Sequence, residues 1–294
     1  MRRAAFLGGT AASLSLTFAS KAFADDATPE FERIERSTGG RLGVAAIDTG
    51  NGRSIAYRAR ERFPMCSTFK VLAVSAVLTR ADRGQERLTR HVRYGKRDLL
   101  EWAPITTKHV AQGFMSISDL CAAAIEYSDN TAANLLLETL GGPAAVTAYA
   151  RSLGDSLTRL DRTEPALNTG IPGDVRDTTT PAAMLQDLQC ILTGNVLSSQ
   201  SRSKLEAWLV ADTTGTNLLR AGFPRAWRAG DKTGLGGPHN RTGESSTRND
   251  VAIAWPPNGA PILIAAYLTG SQVDAARRDG ALAAIGHHVA NSGM

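Results

Sequence analysis

The stretch at residues 63–78 constrains the fold of this chain more than any other. Pro64 disfavours helix in the residue before it and suits the start of a helix after it. The apolar run that follows has no Gly or Pro before Gly84, so the sequence predicts a buried helix of about four turns. Ser67 would lie in its first turn, where free N–H groups and the helix dipole stabilise an anion. Lys70, three residues on, would share its face, and an amine that accepts a hydroxyl proton activates that hydroxyl as a nucleophile.

Two observations limit what this pattern shows by itself. Ser-x-x-Lys occurs again at residues 201–204, where it is typical of an ordinary solvated surface. Cys66 is a rival nucleophile, because it also lies at the helix tip, four residues before Lys70. No histidine lies nearby in the sequence to pair with a thiolate, which favours a buried structural cysteine. The chain has three cysteines, and an odd number excludes a fully paired disulfide framework.

The N-terminal segment predicts an export signal. Arg2 and Arg3 precede a small and apolar run at residues 8–19, and residues 22–24 form a small-x-small cleavage pattern. The paired arginines suggest the twin-arginine route. A membrane anchor is the alternative, but the apolar run is short for a span. We therefore expect a signal peptide at residues 1–24 and one mature domain at residues 25–294, periplasmic or secreted.

Charge gives little support for a nucleic-acid partner. The chain has 33 Lys and Arg against 28 Asp and Glu, but three of the basic residues lie in the signal, which leaves 30 against 28. No run of like charge and no aromatic stacking pattern is present. We expect no nucleic-acid partner and, after signal cleavage, no membrane association.

The order of predicted elements indicates an α+β fold. Strands are predicted at 42–47, 54–57, 227–232, 251–255 and 261–268. Helices are predicted at 29–36, 120–127, 131–140, 181–192, 201–210 and 273–290. Two strands at the start and three at the end form one five-stranded antiparallel sheet only if the helical middle is a single insertion. That arrangement predicts a sheet lobe (25–60 plus 211–294), a helical lobe (61–210) and a ligand-binding cleft between them.

Three further motifs lie at the edges of these elements. Ser128-Asp129-Asn130 precedes a helix, where such residues also serve as plain N-caps. Lys232-Thr233-Gly234 ends a strand, which is also a common exit into a turn. Glu164-Pro165-Ala166-Leu167-Asn168 lies in a long irregular stretch at 159–180. Loops of that length are uncommon in compact domains unless they are functional.

Together with the Ser67–Lys70 pair, these motifs resemble in order and spacing those of class A serine β-lactamases. The resemblance covers nearly all of the chain after the signal. Residues 162–179 resemble the omega loop of that family, and Trp102-Ala103-Pro104 resembles its gate segment beside the substrate. It implies the β-lactamase/DD-peptidase-like fold and hydrolysis of penicillins and cephalosporins through a serine acyl-enzyme. It implies no cofactor and no metal.

The resemblance assigns the acylation step to four positions. Ser67 would attack the β-lactam carbonyl, and Lys70 would help to deprotonate it. The N–H groups of Ser67 and of Leu235, just after Gly234, would form the oxyanion hole. Ser128 would relay a proton to the ring nitrogen.

Deacylation is assigned to the omega loop. Glu164 and Asn168 would hold the water that hydrolyses the acyl-enzyme; whether Lys70 or Glu164 starts acylation is left open. A loop of this length needs closure, so we expect Arg162 and Asp177 to pair across its neck.

Substrate contacts are assigned to both walls of the cleft. Asn130 would bind the side-chain amide of the substrate, while Lys232 and Thr233 would bind its carboxylate. Residues 237–248 form a longer connection than is usual for the family, which we expect to overhang the cleft mouth. Counting back from Asn249 makes Arg248 the arginine that assists at the carboxylate, while counting forward from Lys232 gives Arg241. We prefer Arg248, because the apolar run after it holds the strand register.

Two alternatives share part of this pattern, and a third depends on the histidines. A D-Ala-D-Ala transpeptidase or carboxypeptidase would need the serine and lysine motifs but not residues 164–168. A penicillin-sensing domain would need a tethering transmembrane span, and none is predicted after residue 24. The five histidines show no metal-ligand spacing, which disfavours a metal-dependent hydrolase. We expect a monomer whose partners are small-molecule β-lactams.

Overall fold

A computed structural model describes residues 29–294, so the predicted signal peptide lies outside the described residues. The chain builds an α+β fold around a five-stranded antiparallel sheet with strand order β2-β1-β9-β8-β7. The strands of this sheet are β1 (Arg41–Asp48), β2 (Ser54–Tyr57), β7 (Arg228–His239), β8 (Ser245–Trp255) and β9 (Ile262–Thr269). Two small two-stranded sheets pair β3 (Phe63–Pro64) with β6 (Thr178–Thr179) and β4 (His91–Arg93) with β5 (Phe114–Ser116).

The helices of the described residues lie at both ends of the chain and in its middle. The end helices are α1 (Pro29–Thr38) and α9 (Ala275–Asn291). The middle ones are α2 (Phe69–Asp82), α3 (Thr106–His109), α4 (Ile117–Glu126), α5 (Asn130–Leu140), α6 (Pro143–Ser152), α7 (Pro181–Leu192) and α8 (Ser199–Val210). No helix among residues 29–294 combines the length and hydropathy needed to cross a membrane.

The pairing of β1 with β9 joins the two ends of the chain. Arg41 lies opposite Thr269 and Asp48 opposite Ile262 across an antiparallel ladder. The segment between β2 and β7 leaves the sheet at one edge strand and returns to it at the opposite edge strand.

Both faces of the sheet are covered, and β9 shows how. Leu263, Ala265 and Tyr267 pack into the core shared with α2, α4, α5 and α7. Ile264 and Ala266 pack into a second core with α1 and α9. Because successive strand residues point to opposite faces, a strand buried on both sides is apolar throughout. Helix α2 lies inside the first core, and every residue from Phe69 to Thr79 is buried.

Two local features differ from the predicted elements. The segment at residues 237–248 is an extended hairpin, because β7 continues to His239 and β8 begins at Ser245. Its tip is anchored beside α9, where the Asn240 amide donates to the Val273 carbonyl (2.9 Å) and Glu244 accepts from Arg278 (3.1 Å). Helix α6 was also not predicted separately: Pro143 stands at its start, so the Gly-Gly-Pro sequence ends one helix and begins the next.

Candidate active site

Ser67 lies between the buried helix and the edge strand of the sheet. It belongs to a 3₁₀ turn (Cys66–Thr68) that leads directly into α2, and it is 8% exposed. The Asn249 amide of β8 donates to the carbonyls of Pro64 (2.8 Å) and Met65 (3.1 Å). These bonds fasten the segment before Ser67 to the sheet, so the serine lies where the helices meet the strands.

Lys70 is fully buried one turn into the helical segment. Its Nζ donates to the Ser128 carbonyl (2.8 Å), to Asn130 Oδ1 (2.7 Å) and to Ser128 Oγ (3.3 Å). Burial lowers the pKa of Lys70, and the nearby Glu164 carboxylate opposes that shift. A lysine with a lowered pKa gives up its proton more readily and can then accept one from a hydroxyl.

Glu164 joins the serine and the lysine. Its Oε1 accepts from Ser67 Oγ (3.2 Å) and lies 3.1 Å from Lys70 Nζ, and its Oε2 accepts from the Asn168 amide. Asn134 holds the backbone of Glu164 with two hydrogen bonds of 2.9 Å, one to its N–H and one to its carbonyl. Asn134 was missed in the sequence, although it lies one helical turn after Asn130 on the same face of α5.

The neck of the omega loop is closed by the predicted ion pair. Arg162 Nε donates to Asp177 Oδ2 at 2.5 Å, and the Asp177 side chain is fully buried. Asp177 Oδ1 also accepts from the backbone N–H groups of Asp161 (2.7 Å) and Arg162 (2.9 Å). Both carboxylate oxygens are thus satisfied, and the two ends of the loop are tied together.

The Ser128-Asp129-Asn130 segment has both a capping and a positioning role. Asp129 caps α5 through the Ala132 N–H (2.8 Å) and also accepts from the Thr106 N–H (2.9 Å). The Asn130 N–H donates to the Trp102 carbonyl (2.9 Å), and the indole of Trp102 is bonded to the Tyr127 carbonyl and 56% exposed. The segment therefore presents Ser128 and Asn130 to Lys70 and places Trp102 at the surface.

Backbone strain is concentrated around these groups. Among residues 29–294, only Arg58, Cys66, Ser128 and Asp177 have a positive φ without being glycine. Three of the four are neighbours or members of the site, at φ values of 46°, 54° and 55°. Such conformations cost roughly 1–3 kcal/mol each, and they persist where surrounding contacts enforce them.

The Lys232-Thr233-Gly234 motif lies on β7, alongside the Ser67 turn. A Cβ on Gly234 would lie 2.9 Å from the Met65 carbonyl, which shows how closely the strand passes. Lys232 is fully buried, and burial lowers its pKa to about 8 against the opposing effect of Asp212. Thr233 Oγ1 bonds Thr214 Oγ1 (2.6 Å), a partner that sequence reasoning missed because it comes from a separate loop.

Leu235, Arg248 and Arg241 differ in their placement. Leu235 and Arg248 lie directly opposite each other on β7 and β8, and the Leu235 side chain is 50% exposed. Arg248 Nε donates to Asp279 Oδ1 of α9 at 2.8 Å. Arg241 is exposed in the turn at the hairpin tip. The register places Arg248, and not Arg241, beside the strand that carries Lys232 and Thr233.

Cys66 is a free, fully buried cysteine beside the nucleophile candidate. Burial raises the pKa of its thiol, with the Glu164 charge adding to the effect. A Cβ on Gly236 would lie 2.7 Å from Cys66 Sγ and 2.6 Å from the Asn168 carbonyl. The thiol is therefore a packing group that fills the space under β7.

No cluster of three His, Cys, Asp or Glu side chains suited to a metal occurs in residues 29–294.

Comparison with known protein families matches residues 26–292 to the "Beta-lactamase enzyme family", and the chain belongs to that family. Together with its relatives, this makes it a class A serine β-lactamase, an enzyme that hydrolyses β-lactams and confers antibiotic resistance. The α+β fold expected from the sequence is that of its structural neighbours.

Named relatives agree over almost the full length. "Beta-lactamase Toho-1" from Escherichia coli is 49% identical over 276 residues, which are 93% of this chain and 92% of the relative. "Beta-lactamase OXY-1" from Klebsiella oxytoca is 46% identical over 96% of this chain and 95% of its own. The solved "Ancestral (GNCA) Beta-lactamase class A" has a TM-score of 0.85 at 56% identity, covering 90% of this chain and 98% of that one.

Proposed function

We propose that Ser67 is the nucleophile that opens the β-lactam ring, activated by Lys70 and Glu164. The supporting observation is the contact of Glu164 Oε1 with both Ser67 Oγ (3.2 Å) and Lys70 Nζ (3.1 Å). Either group can take the hydroxyl proton as the oxygen attacks the carbonyl carbon. The developing oxyanion is bound by the N–H groups of Ser67 and Leu235, where loss of one donor costs roughly 3–4 kcal/mol in such enzymes.

Breakdown of the tetrahedral intermediate needs a proton on the ring nitrogen. Ser128 Oγ lies 3.3 Å from Lys70 Nζ, so the proton taken from Ser67 passes from Lys70 through Ser128 to the leaving nitrogen. The C–N bond then breaks and the drug remains attached to Ser67 as an ester.

Hydrolysis of that ester is assigned to the omega loop. Glu164 takes a proton from a water molecule, and the hydroxide adds to the ester carbonyl; the bond from the carbonyl carbon to Ser67 Oγ then breaks, and Ser67 Oγ takes the proton back from Glu164. Asn168 donates its amide to Glu164 Oε2, while its Oδ1 is buried and has no hydrogen bond to the described residues. A carboxylate and an amide oxygen side by side can each accept one hydrogen bond from the same water.

The substrate is held by groups from both sides of the cleft. Lys232, Thr233 and Arg248 bind its carboxylate, because two cations and a hydroxyl lie on neighbouring strands. Asn130 binds the side-chain amide, and the exposed Trp102 contacts the substrate at the cleft entrance.

The test is to trap the acyl-enzyme. In Glu164→Ala, mass spectrometry should show one penicillin adduct that persists for minutes to hours, while the wild type shows none at steady state. Ser67→Ala should show no adduct, and Ser67→Cys should acylate more slowly. A persistent adduct on the wild type would favour the sensor or peptidase alternative, and labelling that moved to Cys66 would reassign the nucleophile.

We also propose that the protein is exported, cleaved near Ala24 and monomeric, with a sheet lobe and a helical lobe forming one catalytic domain at residues 25–294. The signal pattern of residues 1–24 and the paired end strands β1 and β9 support this. N-terminal sequencing of the periplasmic protein should begin at Asp25 or within a few residues of it. Light scattering should give the mass of one chain, and a stable dimer would refute the monomer.

A further inference from the structure

The two carbonyls just before the Ser67 turn are held by one buried amide of the sheet. Asn249 on β8 is fully buried, and its Nδ2 donates to the carbonyls of Pro64 (2.8 Å) and Met65 (3.1 Å). Both hydrogens of the amide are thereby used on the segment that leads into Ser67. The reverse orientation would set Oδ1 against two carbonyl oxygens, so these contacts allow the amide only one orientation.

The glycine of the Lys232-Thr233-Gly234 motif packs directly on this amide. Asn249 lies opposite Gly234 in the β7–β8 ladder. A Cβ on Gly234 would lie 2.9 Å from the Met65 carbonyl oxygen and 3.2 Å from both Cβ and Nδ2 of Asn249. Leu235 follows on the strand, so the amide is in contact with both backbone segments that carry the N–H groups of Ser67 and Leu235.

A second contact supports the same turn from β9. Thr68 Oγ1 donates to the Met65 carbonyl (2.8 Å) and lies 3.3 Å from the hydroxyl of Tyr267, which is opposite Asn249 in the β8–β9 ladder. The Met65 carbonyl belongs to the peptide bond before Cys66, whose φ is 46°. Such a backbone conformation persists where surrounding contacts enforce it, and these hydrogen bonds are contacts of that kind.

We propose that Asn249 is a positioning residue for the oxyanion hole: by holding the turn against β7, its amide sets the distance between the N–H groups of Ser67 and Leu235. Because Asn249 is fully buried, it acts through the backbone and not by touching the substrate. Both donors must lie about 2.7–3.1 Å from the oxyanion, so a small change in their separation weakens one of the two hydrogen bonds. The proposal rests on the proposed role of these two N–H groups.

The test changes the chemistry of the amide and keeps its shape. Asn249→Asp replaces Nδ2 with an oxygen, and a carboxyl group can donate to at most one of the two carbonyls. In stopped-flow acylation by a cephalosporin, the acylation rate constant should fall by about 10- to 100-fold. The dissociation constant of the noncovalent complex should change by less than about 3-fold. Asn240→Asp is the matched control, because it makes the same change at the tip of the same hairpin, where the amide donates to the Val273 carbonyl (2.9 Å); it should leave both constants unchanged.

A second substrate separates the oxyanion hole from general damage to the site. In the 8-thioxo analogue of the same cephalosporin, sulfur replaces the β-lactam carbonyl oxygen, and sulfur is the weaker hydrogen-bond acceptor. The loss caused by Asn249→Asp should therefore shrink to less than about 3-fold with this analogue. Equal losses with the two substrates, or a loss confined to the dissociation constant, would overturn the proposal.

Thr68→Val decides the question if Asn249→Asp does not fold. Valine is close to threonine in shape but cannot donate to the Met65 carbonyl, so it should give the same pattern with a loss of about 3- to 10-fold. If the wild type is acylated equally fast by the two substrates, the proposed oxyanion hole itself fails. If the wild type prefers the oxygen compound but neither variant slows its acylation, only the positioning role of Asn249 fails.

Discussion

Two of the carboxylate–cation pairs formed by the omega loop, residues 162–179, differ in their surroundings. At its neck, Asp177 accepts from Arg162 and from two backbone N–H groups, so every oxygen is satisfied. At its inner edge, Glu164 lies against Lys70, but it shares that lysine with Ser128 and Asn130 and also contacts Ser67.

The choice of cation explains the difference. Arginine stays charged and offers a planar fork, which suits a fixed structural contact. Lysine changes its protonation when buried, and the lowered pKa of Lys70 makes its proton mobile. We therefore expect the neck to hold the loop in place and the inner edge to transfer protons. Substitutions at the neck pair should therefore change mainly the unfolding free energy, and substitutions at the inner edge mainly kcat.

The largest effect is expected from Glu164→Gln at the inner edge. Without a carboxylate to deprotonate water, kcat for benzylpenicillin should fall by about 10²- to 10⁴-fold. The unfolding free energy should change less than at the neck, because Lys70, whose pKa is lowered by burial, can lose its proton and then leaves no unpaired charge in the interior. Stopped-flow kinetics and urea unfolding measure the two quantities. A large loss of unfolding free energy with only a modest loss of kcat would contradict this prediction, because Glu164 would then be a structural group like Asp177.

Asp177→Asn should show the opposite profile at the neck. It leaves Arg162 without its buried partner, which should cost about 3 kcal/mol of unfolding free energy. For a domain of this size that corresponds to a fall in Tm of roughly 6–9 °C. The control is Glu30→Gln, which breaks the exposed pair with Arg33 and should leave the unfolding free energy almost unchanged. Calorimetry that gave equal losses for both variants would show that the neck pair is not a structural clamp.

Local signals in the sequence predicted the elements that end at strong caps. Helix α7 was predicted at 181–192 and is found at Pro181–Leu192, because Thr180 caps it and Pro181 occupies its first position. Strand β7 was predicted to stop at Lys232 but continues to His239. Three of the seven added residues are glycine and one is proline, so they have no strand pattern of their own. They are extended because β8 pairs with them, and that long-range contact leaves no local signal.

The candidate site shows the same limit. Motif order and resemblance were enough to select Ser67, Lys70 and Glu164, which come from two distant segments and meet in the structure. Asn134 and Asp279 were missed. Their hydrogen-bond partners, Glu164 and Arg248, lie 30 and 31 residues away, so neither contact can be deduced from the residue's own neighbours in the sequence.

Gly236→Ala tests whether the inner edge is set by packing as well as by charge. The new Cβ would lie 2.6 Å from the Asn168 carbonyl and 2.7 Å from Cys66 Sγ, so one of them must shift. Overpacking of this kind should cost about 2 kcal/mol. Displacement of Asn168 should also slow deacylation more than acylation in single-turnover kinetics. Gly95→Ala is the control, since a Cβ there meets nothing within 4 Å. Equal slowing of acylation and deacylation would argue against a specific role of Asn168 in deacylation.

The smallest expected effect is on the pH dependence of kcat/KM. It concerns Lys232, the lysine proposed to bind the substrate carboxylate. Lys232, with its pKa lowered to about 8, is charged below that pH and neutral above it. Because we propose that its charge attracts the substrate carboxylate, we expect kcat/KM to fall by about tenfold for each pH unit above 8. Loss of the Lys70 proton at high pH should instead raise kcat/KM, since a neutral lysine is the better acceptor of the Ser67 proton.

Lys232→Arg decides between these two lysines. Arginine stays charged throughout the range, so the alkaline fall in kcat/KM should disappear even if the overall rate is lower. A fall near pH 8 that persists in Lys232→Arg would belong to another group. Lys232 would then keep its charge over this pH range, and the difference between arginine and lysine would apply only to Lys70 beside Glu164.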